Sequence, residues 1–354
     1  MKPRVLVVTR IPFWRQGAGE RMRLVVLLGV LGARTELTVL YLGPVGAEDL
    51  QRLRQLRIPC ALRTLSRAGD PSQELAAVRH VCAEQSFDAC ILERIALHFL
   101  LDAVPAGVRT VLDTHDLESA NAESRRAQGQ EVPGAMDFAE ELAILSRFDG
   151  VLLIQAEDHE RIARHLGARA LLAPHPVRFE RRPVEPRMHR LGLVASAWAA
   201  NRDGLDWFAD HVWPRVSSSP AEMHLYGWIG DHWRPGYAQF QRHGFVPDFG
   251  EAWGRMDVAI NPVRWGSGLK VKSVEALGHG LPLVTTSEGA RGMLAAAGDA
   301  FILADDPAEF AAACVALLAD PQRRAALGAA AYAYAQRHFS PETCFGQLVT
   351  WLCA

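Results

Sequence analysis

Lysine is almost missing from this chain. Of the 38 basic residues among 354, only Lys2, Lys270 and Lys272 are lysine, and the other 35 are arginine. Codon bias is the plain reading of the scarcity, and a lysine kept against such a bias is a stronger functional candidate than an ordinary one. Other absences narrow the field further. The six cysteines (Cys60, Cys82, Cys90, Cys314, Cys344 and Cys353) form no C-x-x-C pair. Neither a zinc site nor a disulfide frame is implied, and no metal is expected; they read as small buried hydrophobes in a reducing compartment. No apolar run reaches the ~18 residues needed to span a bilayer. The opening "MKPRVLVVTRIPF" is too short an apolar run for a signal peptide, and Arg10 interrupts it. A cytoplasmic protein is expected, with peripheral contact at the inner face of the membrane still compatible. A net charge of −2 argues against a nucleic-acid partner held by bulk positive potential. A dinucleotide fingerprint is also missing: after Gly17 and Gly19, position 22 is Met, so G-x-G-x-x-G fails and a dehydrogenase is disfavoured.

What is present reads as a folded α/β chain. Hydrophobic content is 49% and charged content 22%, which calls for a packed core and excludes wholesale disorder. "RVLVVT" (4–9), "LTVLYL" (37–42), "DACILE" (88–93), "RTVLDT" (109–114) and "GVLLIQ" (150–155) are short apolar runs. Such runs suit strands buried on both faces of a parallel sheet. Helical patterns such as "ERMRLVVLLGVLG", "SQELAAVRHVCAE" and "AEDHERIARHLG" lie between them. The proline- and charge-rich "APHPVRFERRPVEPRMHR" (173–190) interrupts the alternation and reads as a linker. Alternation then restarts through "LGLVASA", "EMHLYG", "DVAINP", "LPLVTT" and "AFILA". The expectation is two doubly wound α/β domains, over 1–178 and 190–337, joined by a linker at 179–189. Ligands sit outside the carboxyl ends of strands in such sheets, so the loops there are the ones to read.

Three loops stand out. Gly17 and Gly19 follow the first strand and precede a helix expected near Glu20; backbone amides there suit an anion, and an ordinary loop is the plainer reading. His115 follows the strand at 109–114, flanked by Asp113 and Asp116. That placement serves acid–base or hydrogen-bonding work, or simply satisfies a loop carbonyl. In "GSGLKVKSVEALGHG", Gly266, Ser267 and Gly268 precede a helix expected from Leu269 to His279. Lys270 would place a mobile cation in the first turn, which opposes the helix dipole by ~0.3–1 kcal/mol unless an anion binds. Lys272, Glu275 and His279 share a face by spacing. Either Lys272 simply pairs with Glu275, or Glu275 accepts hydrogen bonds from ligand hydroxyls with a lysine nearby keeping it ionised. Seven of nine tryptophans lie between Trp198 and Trp265. Most are core, and Trp228 in "LYGWIGD" is the one best placed to stack on a base or sugar.

The second half resembles family 4 glycosyltransferases, retaining enzymes of the GT-B fold. The wording is "SAWAANRDGLDWFADHVWPRV", "MHLYGWIGD" and "GFVPDFGEAWGRMDVAINPVRWGSGLKVKSVEALGHGLPLVTTSEGARGM". The motif G-x-G-L-K-x-K…E-A-x-x-x-G-x-P-x-V-x-T carries it, with G-F-V-x-D upstream; "DTHDLES" and "FDGVLLIQAEDHERI" match more loosely. The resemblance implies two Rossmann-like domains facing across a cleft, with a C-terminal helix at about 338–354 crossing back to the first. It implies a UDP- or GDP-linked sugar donor, no permanently bound cofactor and no metal. The acceptor would be a glycan, a lipid-linked molecule or a small molecule. The diphosphate would meet Lys270 and the backbone at Gly268 and Leu269; Ser267 would also line the donor site; Glu275 would hold the ribose; Gly17 and Gly19 would lie near donor phosphates and acceptor; and His115 would contact the sugar. The family's first motif glutamate falls at Ser267, where this chain departs from it. Two rivals stay open: a nucleotide-sugar epimerase on the same fold, and a non-catalytic protein that keeps the fold to bind a partner.

Overall fold

The computed structural model describes residues 2–15, 19–67, 69–179, 189–231, 233–234, 239–246 and 249–353. Gly17 lies outside the described residues, as does nearly all of the expected linker. The chain forms two compact units. The first comprises Met1–Arg126, Glu131–Pro176 and Pro341–Ala354; the second comprises Ala127–Gln130 and Val177–Ser340.

The first unit is built on seven parallel strands: β1 (Arg4–Thr9), β2 (Glu36–Tyr41), β3 (Ala61–Thr64), β4 (Ala89–Glu93), β5 (Arg109–Asp113), β6 (Gly150–Leu153) and β7 (Ala170–Leu172). Their order is β3-β2-β1-β4-β5-β6-β7. The middles of the central strands are apolar because helices cover both faces of the sheet, and polar residues sit at the strand ends; Val5 to Val8 are fully buried. The helix Gly19–Arg34 buries Leu24, Leu27, Leu28 and Leu31, a one-sided apolar stripe at helical spacing. Asp70 accepts from the amides of Ser72 and Gln73 ahead of Pro71, which starts the helix Pro71–Glu84. The helix Pro341–Cys353 belongs to this unit, where Arg109 donates to the carbonyls of Trp351 and Leu352. That leaves two carbonyls of the helix end satisfied by a guanidinium.

The second unit carries six parallel strands: β8 (Arg190–Val194), β9 (Glu222–Tyr226), β10 (Phe240–Arg242), β11 (Val258–Asn261), β12 (Leu283–Thr285) and β13 (Ile302–Leu303). They are ordered β10-β9-β8-β11-β12-β13. Its core joins Leu191, Leu193, Leu225, Ile260 and Val284 of the sheet to Phe208, Trp213 and Phe310 of the helices. Asp306–Pro307 and Asp320–Pro321 start two further helices with the same aspartate cap. Strand order reverses between β1 and β4 in the first sheet and between β8 and β11 in the second. A crevice opens at the carboxyl ends beside such a reversal, so the loops after those strands are where a ligand would be held. No helix among the described residues is long and apolar enough to cross a membrane.

Candidate active site

In the second unit the reversal sets Trp198, which follows β8, against Gly266, which follows β11. A side chain at Gly266 would come within 2.8 Å of the Trp198 ring and 3.6 Å of Lys270 Nζ. Its φ of 131° is one that glycine adopts readily and other residues avoid. Trp198 is 41% exposed and leans on buried Trp265 with ring centres 5.5 Å apart. The loop therefore brings an open indole face, two glycines and a lysine together.

The helix itself runs Val271–Gly278, with Lys270 at its cap, two residues later than the spacing predicts. Lys270 is a second departure. The expected mobile cation is only 6% exposed and is bonded on all sides. Its Nζ donates to the carbonyls of Ser267 and Gly268, both at 3.0 Å, and to Glu288 Oε1 at 2.6 Å. The two carbonyls turn the loop around the ammonium, so Ser267 meets Lys270 through its backbone. Leu269 is buried. Glu288 also lies 3.6 Å from Arg291, which in turn donates to the Gly266 carbonyl.

Lys272 and Glu275 do not pair. Lys272 donates to Asn201 Oδ1, and Asn201 in turn donates to the Ser196 carbonyl after β8. Burial and the Lys270 ammonium hold the Lys272 pKa down to about 7. Glu275 is buried, and burial pushes its carboxyl up to about 7 against the Trp253 indole and the Arg178 guanidinium. The expectation of a lysine keeping Glu275 ionised is thus corrected: near neutrality this carboxyl is poised between its two forms.

Trp228 lies beyond β9 and is 50% exposed, stacked on Phe245 with ring centres 5.5 Å apart and planes 20° from parallel. An open indole backed by a second ring is a ready surface for a flat ligand. Phe245 escaped the sequence reading because "GFVPD" gives no sign of which ring it meets.

In the first unit, Gly19 is the first residue of the helix Gly19–Arg34. His115 sits at the end of β5 with φ 61°, a strained value for a residue with a Cβ. It is 4% exposed, and its Nε2 is 2.8 Å from Glu93 Oε2 at the end of β4. Burial disfavours the imidazolium, but the Asp113 and Glu93 carboxylates outweigh it and raise the His115 pKa. Glu93 is raised by burial and by the Asp113 charge. Fully buried Arg23 grips Asp113 through Nε at 3.1 Å and Nη2 at 2.9 Å, and donates to the Ala173 and Pro174 carbonyls. Ligand atoms of Glu93, Asp113 and His115 lie within 4.8 Å of one another, a spacing a metal could use. Arg23 already supplies a cation to both Asp113 oxygens, which leaves that carboxylate little to offer a metal. The cluster reads as a charged brace that fixes His115, and Arg23 and Glu93 are the members sequence reasoning missed.

Residues 189–320 match the family model described as glycosyl transferases group 1. No curated protein sequence matches the chain at a significant level. Among solved structures, HepE of Anabaena in complex with UDP and glucose is 16% identical, with 99% of this chain and 100% of that one covered, at a TM-score of 0.70. A TarM variant of S. aureus in complex with fondaparinux, alpha-GlcNAc-glycerol and UDP is 9% identical over 100% of both chains, at 0.75. Sucrose-phosphate synthase of Thermosynechococcus elongatus is 13% identical over 99% and 98%, at 0.73. The fold is GT-B, and the matched segment is the one that holds Trp198, Trp228, Lys270, Glu275 and Glu288.

Proposed function

We propose that this chain moves a sugar from a UDP- or GDP-linked donor to a hydroxyl acceptor, with retention, in glycan, polysaccharide or glycoconjugate synthesis. The observation that carries the reading is the Gly266–Lys270 loop. A buried lysine and a helix amino end meet at the strand reversal, inside the segment that matches glycosyl transferases group 1. Breaking the anomeric C–O bond builds negative charge on the departing diphosphate and positive charge on the sugar. A fixed ammonium and the first-turn amides offset the former without reorganising during the step.

The remaining groups of the second unit take roles consistent with that placement, and the family resemblance supplies the role of His115. Trp228 on Phe245 offers a stacking surface for the base. Glu275, neutral or charged at little cost near pH 7, accepts or donates to ribose hydroxyls. His115, held by Glu93 and the strained turn, is a hydrogen-bonding group for the sugar and is too enclosed to serve as an open general base. Hexosyl specificity and retention belong to the proposal through the family resemblance. HepE, solved with UDP and glucose, and TarM, solved with UDP and glycan ligands, lend support to a UDP-sugar donor and a glycan acceptor.

The test is incubation of the purified protein with radiolabelled UDP- and GDP-sugars, with and without a panel of glycan and glycolipid acceptors. The expected result is acceptor-dependent labelled product together with free nucleoside diphosphate. Epimerised donor formed without acceptor would replace this reading with the epimerase. No turnover and no nucleotide binding would favour the non-catalytic partner.

A further inference from the structure

An ammonium has three N–H donors, and those of Lys270 meet the Ser267 carbonyl, the Gly268 carbonyl and Glu288. Two of these acceptors belong to the backbone of the loop that the lysine itself shapes. Glu288 alone offers a side chain that can turn away. Its backbone is pinned on both sides: Ser287 donates to Asp305, and the Gly289 carbonyl accepts from Ser273 at 2.7 Å. The turn is tight as well, since a Cβ at Gly289 would lie 2.1 Å from Thr285 Oγ1. The main chain therefore stays where it is while the carboxylate has two cations within reach, Lys270 at 2.6 Å and Arg291 at 3.6 Å.

We propose that Glu288 is a built-in, displaceable counter-ion for the diphosphate site. In the ligand-free protein it holds the place that a phosphate oxygen takes on Lys270. When a nucleoside diphosphate arrives, Glu288 releases Lys270 and moves its charge to Arg291. The exchange replaces one anion by another, so the buried ammonium is never left without a partner, a state that is strongly unfavourable. The reverse exchange helps product leave, because the returning carboxylate competes with the diphosphate for the same cation. Glu288 thus sets affinity and release at the site, and this rests on the donor-binding reading above.

The measurement is calorimetric titration of UDP and GDP, with uridine and guanosine as phosphate-free controls, into wild type, Glu288→Gln, Arg291→Gln, the double variant and Lys270→Met. Thermal unfolding of each variant without ligand confirms that it is folded. Glu288→Gln is expected to bind the diphosphate at least about tenfold more tightly, with nucleoside affinity unchanged, and to lower both KM for donor and kcat as release slows. Arg291→Gln is expected to weaken diphosphate binding, and to have no effect once Glu288 is already glutamine, the signature of coupled residues. Unchanged or weaker binding by Glu288→Gln overturns the exchange. So does a loss in Arg291→Gln that persists in the double variant, since Arg291 would then contact the ligand directly. If wild type binds neither diphosphate, or Lys270→Met binds as wild type does, the donor-site reading itself fails and takes the exchange with it. Lys270-dependent binding with an inert Glu288→Gln removes only the exchange.

Discussion

Lys270→Met is expected to cut the rate of sugar transfer by about 10²- to 10³-fold at saturating donor and acceptor, the size of effect seen when one fixed donor to a developing anion is removed. That corresponds to about 3–4 kcal/mol of transition-state stabilisation. Methionine keeps most of the side-chain length, so the loop around Gly266 and Gly268 retains its filling. Glu288 keeps Arg291 as a cation, and the Ser267 and Gly268 carbonyls lose one donor each. The stability change should therefore stay near 1–2 kcal/mol, the scale of a few hydrogen bonds traded for water. Initial-rate measurements beside thermal unfolding of the same preparation separate the two quantities. A variant that transfers within threefold of wild type would remove Lys270 from the chemistry.

Glu275→Gln is expected to make the ligand-free protein more stable while weakening it as a donor binder. The Glu275 carboxyl is raised from 4.5 to about 7 by burial. Ionisation in the unfolded chain begins near the lower value, and in the folded chain near the higher one. The folded state thus binds the extra proton between them, and stability falls as pH rises from about 4.5 through 7. Above that window the penalty levels off at about 3 kcal/mol, because each tenfold difference in acidity between the folded and unfolded chain costs ~1.4 kcal/mol. Glutamine carries no titration and removes this slope. At pH 8 its second unit should unfold later than that of wild type, and at pH 4 the two should coincide. The same change removes a carboxylate proposed to hold the ribose, so donor affinity should drop about tenfold. A ligand-free Glu275→Gln protein that is less stable than wild type at pH 8 would mean that Glu275 is ionised and well paired. A gain in stability at the expense of function is what a strained binding group predicts.

The sequence announced the architecture where burial is two-sided. β1, β4, β5 and β6 were legible because the middle of each strand, between covering helices, is a run of buried Val, Leu and Ile, with the polar residues at the strand ends. β3 and β7 were not: "ALRT" is largely exposed at a sheet edge, and "ALL" is three residues long. β10 escaped for the same reason of brevity. At the site, the glycines and Lys270 could be found because loop, lysine and helix are consecutive. Glu288 could not, since it reaches Lys270 only after β12 pairs with β11 and sets residues 18 apart side by side. Helical spacing put Lys272 and Glu275 on one face, but it said nothing of what lies over that face. Asn201 claims the lysine, and Trp253 and Arg178 lie near the acid. His115 was conspicuous at a strand end. Its burial was not, because Glu93 and Arg23 come from another strand and another helix. Retention, the sugar and the acceptor depend on shapes that no run of residues spells out.

The most direct measurement is calorimetric titration of UDP and GDP, beside uridine and guanosine, into wild type and Lys270→Met. The account predicts that one diphosphate binds wild type at least 30-fold more tightly than its bare nucleoside, on the order of 2 kcal/mol or more, and that Lys270→Met loses most of this difference while still binding the nucleoside. Equal affinity for nucleoside and diphosphate in wild type, or a phosphate contribution that survives intact in Lys270→Met, would contradict it.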